Sequence, residues 1–116
     1  MKLFVIAGEP SGDRLGGALM AGLGALAPGG VSFDGIGGPE MAAQGLASRV
    51  PMAELSVMGL WEVLPRYRAL KARIRETAAA IAATNPDAVI TIDSPDFCLR
   101  VLRLARAANP KLRTIH

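Results

Sequence analysis

Apolar positions in this chain follow two rhythms. Short continuous runs, Leu3–Ala7 and Val89–Ile92, are rich in β-branched and aromatic residues, as strands buried on both faces read. Between them lie longer stretches with helical spacing. The first, from about Asp13 to Ala27, carries Leu15, Leu19, Leu23 and Leu26 on one face. A clearer one runs from Pro65 to Ala83, with Tyr67, Leu70, Ile74, Ala78 and Ile81 as its inward stripe. A third runs from Asp96 to Ala108, with Phe97, Val101, Leu104 and Ala108 inward. Val31–Ile36 is a second strand, Pro39–Gln44 a short helix stopped by Gly45, Leu46–Val50 a short third strand, and Leu112–His116 the start of a last one. Residues 51–64 are helical in character but irregular. Strands alternate with helices, which predicts an α/β doubly wound parallel sheet with right-handed crossovers. With the common 3-2-1-4-5 order, the first strand and the strand at 88–92 are neighbours at the switch point.

That order gives the stretch around Asp93 its interest. The apolar run stops at Asp93, and Pro95 cannot continue a central strand. Asp93 therefore sits at the carboxyl end of a parallel strand, the edge where open α/β sheets bind ligands. The alternative is helix capping by Asp93 or Asp96, and Asp96, next to the helical pattern, suits that role better. The same topology brings the turn Gly8-Glu9-Pro10-Ser11-Gly12 beside Asp93. The turn is neither G-x-G-x-x-G nor a Walker A sequence, and Glu9 would repel a phosphate. A structural turn is favoured, with sugar-hydroxyl contacts a further reading. Gly35-Ile36-Gly37-Gly38, at another strand end, is a second wall of the same crevice.

Composition narrows the class. The 116 residues are 51% hydrophobic and 20% charged, as in one globular domain. The single cysteine, Cys98, excludes an internal disulfide and reads as packing. One histidine, His116, and scattered carboxylates make no metal site, and no cofactor is implied. The apolar runs are too short to span a bilayer, and no signal peptide is evident. Residues 61–76 hold five Lys/Arg against two Glu, a surplus equal to the whole net charge of +3. This local patch asks for a local anionic partner. Val57, Met58 and Trp61 precede it. They either pack on another part of the protein or enter an anionic lipid interface with Arg68 and Arg75, which share Trp61's helical face. Nucleic acid is disfavoured, since no recognition motif is present.

Four motifs occur in order: Ala7-Gly8-Glu9-Pro10-Ser11-Gly12-Asp13, Gly35-Ile36-Gly37-Gly38-Pro39-Glu40-Met41, Ser56-Val57-Met58-Gly59 with Glu62-Val63-Leu64, and Ile92-Asp93-Ser94-Pro95-Asp96-Phe97. Each is weak alone, but the ordered set closely resembles the lipid-A-disaccharide synthases. The resemblance implies a Rossmann-like half of a GT-B glycosyltransferase. Residues 1–116 would be the N-terminal, acceptor-side domain, and a C-terminal donor domain would lie outside this chain. It implies transfer from a UDP-linked diacylglucosamine donor to a diacylglucosamine 1-phosphate acceptor, at the cytoplasmic face of the inner membrane. It assigns the general base to Asp93, and substrate contacts to Gly8, Glu9, Ser11, Gly12, Gly37 and Gly38. It also favours membrane contact for Val57, Met58, Trp61, Arg68 and Arg75. The competing classes are a nucleotide-binding or flavodoxin-like module and a non-catalytic membrane-binding domain. A strand at 112–116 with nothing over its far side is a further reason to expect more protein beyond this chain.

Overall fold

The computed structural model describes residues 1–27, 29–55 and 67–116, apart from the side chain of Tyr67. Its elements are β1 (Lys2–Ile6), α1 (Pro10–Leu26), β2 (Ser32–Ile36), α2 (Pro39–Ala43), α3 (Tyr67–Thr84), β3 (Ala88–Thr91), α4 (Pro95–Ala108) and β4 (Thr114–Ile115). The four strands form one parallel sheet in the order β2-β1-β3-β4. β1 and β3 are adjacent, with Phe4 opposite Val89 and Ile6 opposite Thr91, as the doubly wound order requires.

Side-chain alternation along β1 divides the core in two. Phe4 and Ile6 join Leu70, Ile74 and Ile81 of α3 and Phe97 and Val101 of α4 on one face. Leu3, Val5 and Ala7 join Met20 of α1, Met41 of α2 and Ile90 on the other. Helices thus cover both faces of β1, which is why its run is continuously apolar. Next to α1, the second face opens over β3 and β4 into a groove of about 740 Å³ that includes Leu23, Ile90 and Ile115.

Several expectations change. Leu46–Val50 is not a strand. After Gly45 turns at φ +103°, only Leu46 and Val50 of the five are buried, too few for a sheet face. The segment runs past the end of β2 with one backbone bond to it, Arg49 N–H to the Gly35 carbonyl at 2.9 Å. The Arg49 side chain meets Asp34 through two bonds of 2.7 Å.

The leucine stripe of α1 is only partly packed: Leu19 and Leu23 lie half-buried against the second core. Leu15 is 61% exposed and Leu26 80%, while Gly12, Asp13, Gly16, Gly17 and Met20 are buried. A β-carbon on Gly16 would lie 2.7 Å from Met41 Sδ, and one on Gly17 would lie 3.1 Å from the Glu40 backbone. The glycines let α2 approach more closely than leucines could.

In α3, Leu70, Ile74, Ala78 and Ile81 are buried as expected. α4 begins at Pro95, with Ser94 rather than Asp96 at the N-cap. Its buried face is Phe97, Cys98, Val101, Leu102 and Ala105. The i+4 step from Phe97 to Val101 continues to Ala105, which leaves Leu104 and Ala108 exposed. Among the described residues, no helix is long and apolar enough to cross a membrane.

Candidate functional site

Two loops and one strand end converge at the carboxyl edge of the sheet. β1 ends at Ile6 and β3 at Thr91, and Ile92 N–H still donates to the Ile6 carbonyl at 3.0 Å. This carries Asp93 up against the β1–α1 loop. Its Oδ1 accepts the Gly8 N–H and its Oδ2 accepts the Glu9 N–H at 3.0 Å. Asp93 does not cap α4. It clasps a loop 85 residues away in sequence.

The glycines of that loop make the clasp possible. A β-carbon on Gly12 would lie 1.9 Å from Asp93 Oδ2, and one on Gly8 would lie 2.0 Å from Ser94 Oγ. Ser94 is buried and left-handed, at φ 50° and ψ 57°, a conformation non-glycine residues seldom adopt. Cys98 supports the turn from below, its thiol donating to the Asp93 carbonyl at 3.1 Å. Burial, and then the nearby Asp93 charge, pushes that thiol up to about 12. It therefore stays protonated and is no nucleophile.

A second clasp sits beside the first. Asp13, 2% exposed, accepts backbone N–H groups from Gly38 at 2.9 Å, Glu40 at 3.0 Å and Met41 at 2.9 Å. A carboxylate of α1 thus caps the start of α2, where no local side chain does so. Gly37 N–H donates to Ser48 Oγ at 3.1 Å. The amides of Gly8, Glu9, Gly37 and Gly38 are all engaged within the protein, so these four are not offered to a ligand.

Of the candidate residues, Gly8, Glu9, Gly12 and Asp93 come together, and Ser11 is exposed on the first turn of α1. Gly38 joins them through Asp13, whereas Gly37 is held by Ser48. Asp13, Ser94 and Ser48 were given no role from sequence. The available signal for Asp13 was its place among Gly12, Gly16 and Gly17, the small residues of a closely packed helix face. Arg68 and Arg75 are exposed on α3. Arg73, another cation of the basic patch, is committed to Glu54 at 2.8 Å and Glu76 at 3.1 Å. Val57, Met58 and Trp61 lie outside the described residues. Among the described residues, no cluster of His, Cys, Asp or Glu is arranged to hold a metal ion.

A family model described as lipid-A-disaccharide synthetase matches residues 3–116. The lipid-A-disaccharide synthase of Ruegeria pomeroyi is 65% identical over 116 residues, all of this chain and 28% of that protein. That of Rhodospirillum centenum is 51% identical over the same span, 29% of its length. A probable mitochondrial lipid-A-disaccharide synthase of Arabidopsis thaliana is 40% identical over 113 residues, 97% of this chain and 25% of that protein. The chain thus spans little more than a quarter of the curated relatives it matches.

Proposed function

The chain belongs to the lipid-A-disaccharide synthase family, and from that premise we propose that it forms the acceptor-side, Rossmann-like part of an inverting GT-B glycosyltransferase of lipid A biosynthesis. The enzyme would join a UDP-linked 2,3-diacylglucosamine to the primary hydroxyl of 2,3-diacylglucosamine 1-phosphate, releasing UDP. The remainder of the full-length enzyme supplies the donor site. The observation that carries this reading is the carboxyl edge of β1 and β3, where Asp93 is fastened to the Gly8–Gly12 loop. That edge is where open α/β sheets bind ligands. Its carboxylates, Asp93 and Glu9, are the groups available to take a proton from an attacking hydroxyl. The family resemblance assigns that task to Asp93. Ser11 and the walls formed by Gly12, Gly37 and Gly38 line the acceptor side.

The engaged amides of Gly8, Glu9, Gly37 and Gly38 are not available to a phosphate. Residues 57–75 would rest on the cytoplasmic face of the inner membrane, with Val57, Met58 and Trp61 entering the interface and Arg68 and Arg75 facing anionic headgroups. Arg73 is excluded from that set by its two carboxylate partners.

The test uses purified full-length enzyme with both lipid substrates, following disaccharide 1-phosphate and UDP by mass spectrometry. Turnover by the full-length enzyme, and none by residues 1–116 alone, is expected. Absence of disaccharide from the full-length enzyme would refute the assignment.

A further inference from the structure

The two carboxylates of the crevice are held in opposite ways. Both oxygens of Asp93 are turned into the loop. Oδ1 is engaged by Gly8 N–H and Oδ2 by Glu9 N–H, and the Gly12 backbone closes over Oδ2 so tightly that a single added β-carbon would overlap it. A proton arriving on either oxygen would weaken the charge-assisted bond which that oxygen already accepts.

Glu9 is the reverse case. Its backbone is fixed on both sides, the N–H donating to Asp93 Oδ2 at 3.0 Å and the carbonyl accepting Asp13 N–H at 2.9 Å. Its side chain is exposed and does not cap α1, although Glu9 is the N-cap residue. The ion pairs found among the described residues leave it out. The crevice therefore holds one carboxylate spent on architecture and one left open, mounted on a backbone that the first immobilises.

Resting on the transferase reading, we propose that Glu9 is the catalytic base and that Asp93 is a positioning residue which sets the Glu9 backbone. As the acceptor oxygen bonds to the anomeric carbon, its proton passes to the Glu9 carboxylate. The anomeric C–O bond to the nucleotide diphosphate breaks, and its electron pair leaves with UDP. Glu9 then returns the proton to solvent. A base must lie within hydrogen-bond reach of the hydroxyl it serves, and an exposed side chain on a fixed backbone can reach an acceptor entering from solvent.

The experiment measures kcat and KM from about pH 3.5 to 9, a range that includes ordinary carboxylate titration, for full-length wild type, Glu9→Gln, Glu9→Asp and Asp93→Asn, with melting temperatures for all four. In Glu9→Gln, kcat falls by about 10²–10⁴-fold, KM and melting temperature hold, and the acid limb of the kcat profile disappears. Glu9→Asp restores that limb at a reduced plateau. Asp93→Asn lowers kcat together with melting temperature but keeps the acid limb. If Asp93→Asn fails to fold, the Glu9 variants alone decide, because Glu9 is exposed. Near-wild-type kcat with an intact acid limb in Glu9→Gln overturns the assignment. So does loss of the acid limb in a stable Asp93→Asn enzyme. Wild-type enzyme that makes no disaccharide removes the transferase reading and this assignment together, an outcome distinct from both.

Discussion

Asp13→Ala is the sharpest test of how this edge is built. The change removes an acceptor that three backbone N–H groups share, those of Gly38, Glu40 and Met41, all at 2.9–3.0 Å. Hydrogen bonds to a charged group contribute roughly 1.5–3 kcal/mol each. The sum is not fully realised, because Gly38 is only half-buried and Glu40 is exposed, so water can replace part of what is lost. Met41 N–H, in a buried environment, has no such substitute. The expected cost is about 3–5 kcal/mol, at the upper end for point mutations. It should be local, since the three amides open the β2–α2 turn. Amide hydrogen exchange of the full-length enzyme reads this directly. Peptides covering residues 37–44 should lose protection by about 10²–10³-fold, given roughly 1.4 kcal/mol per decade. Asp13→Asn keeps one carbonyl acceptor and should fall between wild type and Asp13→Ala. A change of less than about fivefold in the alanine variant, near 1 kcal/mol, would show that the carboxylate does not hold α2 in place.

Three further outcomes follow from the geometry. Gly12→Ala should lower the melting temperature of the full-length enzyme by several degrees, because its β-carbon would displace Asp93 Oδ2; Gly22→Ala, in open space on the same helix, should instead stabilise by about 0.5–1 kcal/mol. Cys98 should resist a thiol reagent at pH 8 in the native protein and react on unfolding. Its raised value means that its contribution to stability is complete below about pH 9, the ordinary thiol value, and is lost as pH climbs towards about 12, so urea midpoints should fall across that window. The Asp34–Arg49 pair is partly exposed at both ends, so Asp34→Asn should cost no more than about 1 kcal/mol at neutral pH. The Arg49 hydrogen bonds hold Asp34 below its ordinary value against some opposing burial, so the pair's contribution is present above about pH 4 and fades as pH falls through that lowered value; an unchanged difference between variant and wild type at pH 2.5 and pH 6 would contradict this.

Strands were legible wherever an apolar, β-branched run met a hard stop. Leu3–Ala7 and Val89–Ile92 are such runs, and the common doubly wound strand order then placed Asp93 beside Gly8. Helix faces were legible where large residues do the packing, as with Leu70, Ile74 and Ile81. They were half legible in α1, where Leu19 and Leu23 pack but glycine packs by being absent. Gly12, Gly16 and Gly17 leave no apolar signal, whereas the exposed Leu15 and Leu26 leave a strong one. Leu46–Val50 misled because two apolar ends suggest a strand even when the residues between them make a single backbone bond to the sheet. Asp13 was invisible for a different reason. An acidic residue in a first helical turn ordinarily faces water and complements the helix dipole, and only the arrival of α2, some 25 residues later, turns it inward. The same long reach hid the clasp between Asp93 and the Gly8 and Glu9 amides.

The central position of β1 has a consequence in time. β1 leaves the ribosome before both of its partners, β2 along one edge and β3 along the other in the finished sheet. The bond from Gly8 to Asp93 spans 85 residues. At synthesis rates of about 5–20 residues per second, the second partner follows β1 after roughly 4–17 s. During that interval Leu3–Ala7 is an apolar strand with one edge unpaired and its α3–α4 cover not yet made. The nascent chain therefore passes through a window in which its most buried segment is its most adhesive one. The clasp between Asp93 and the Gly8 and Glu9 amides cannot form until that second partner has emerged.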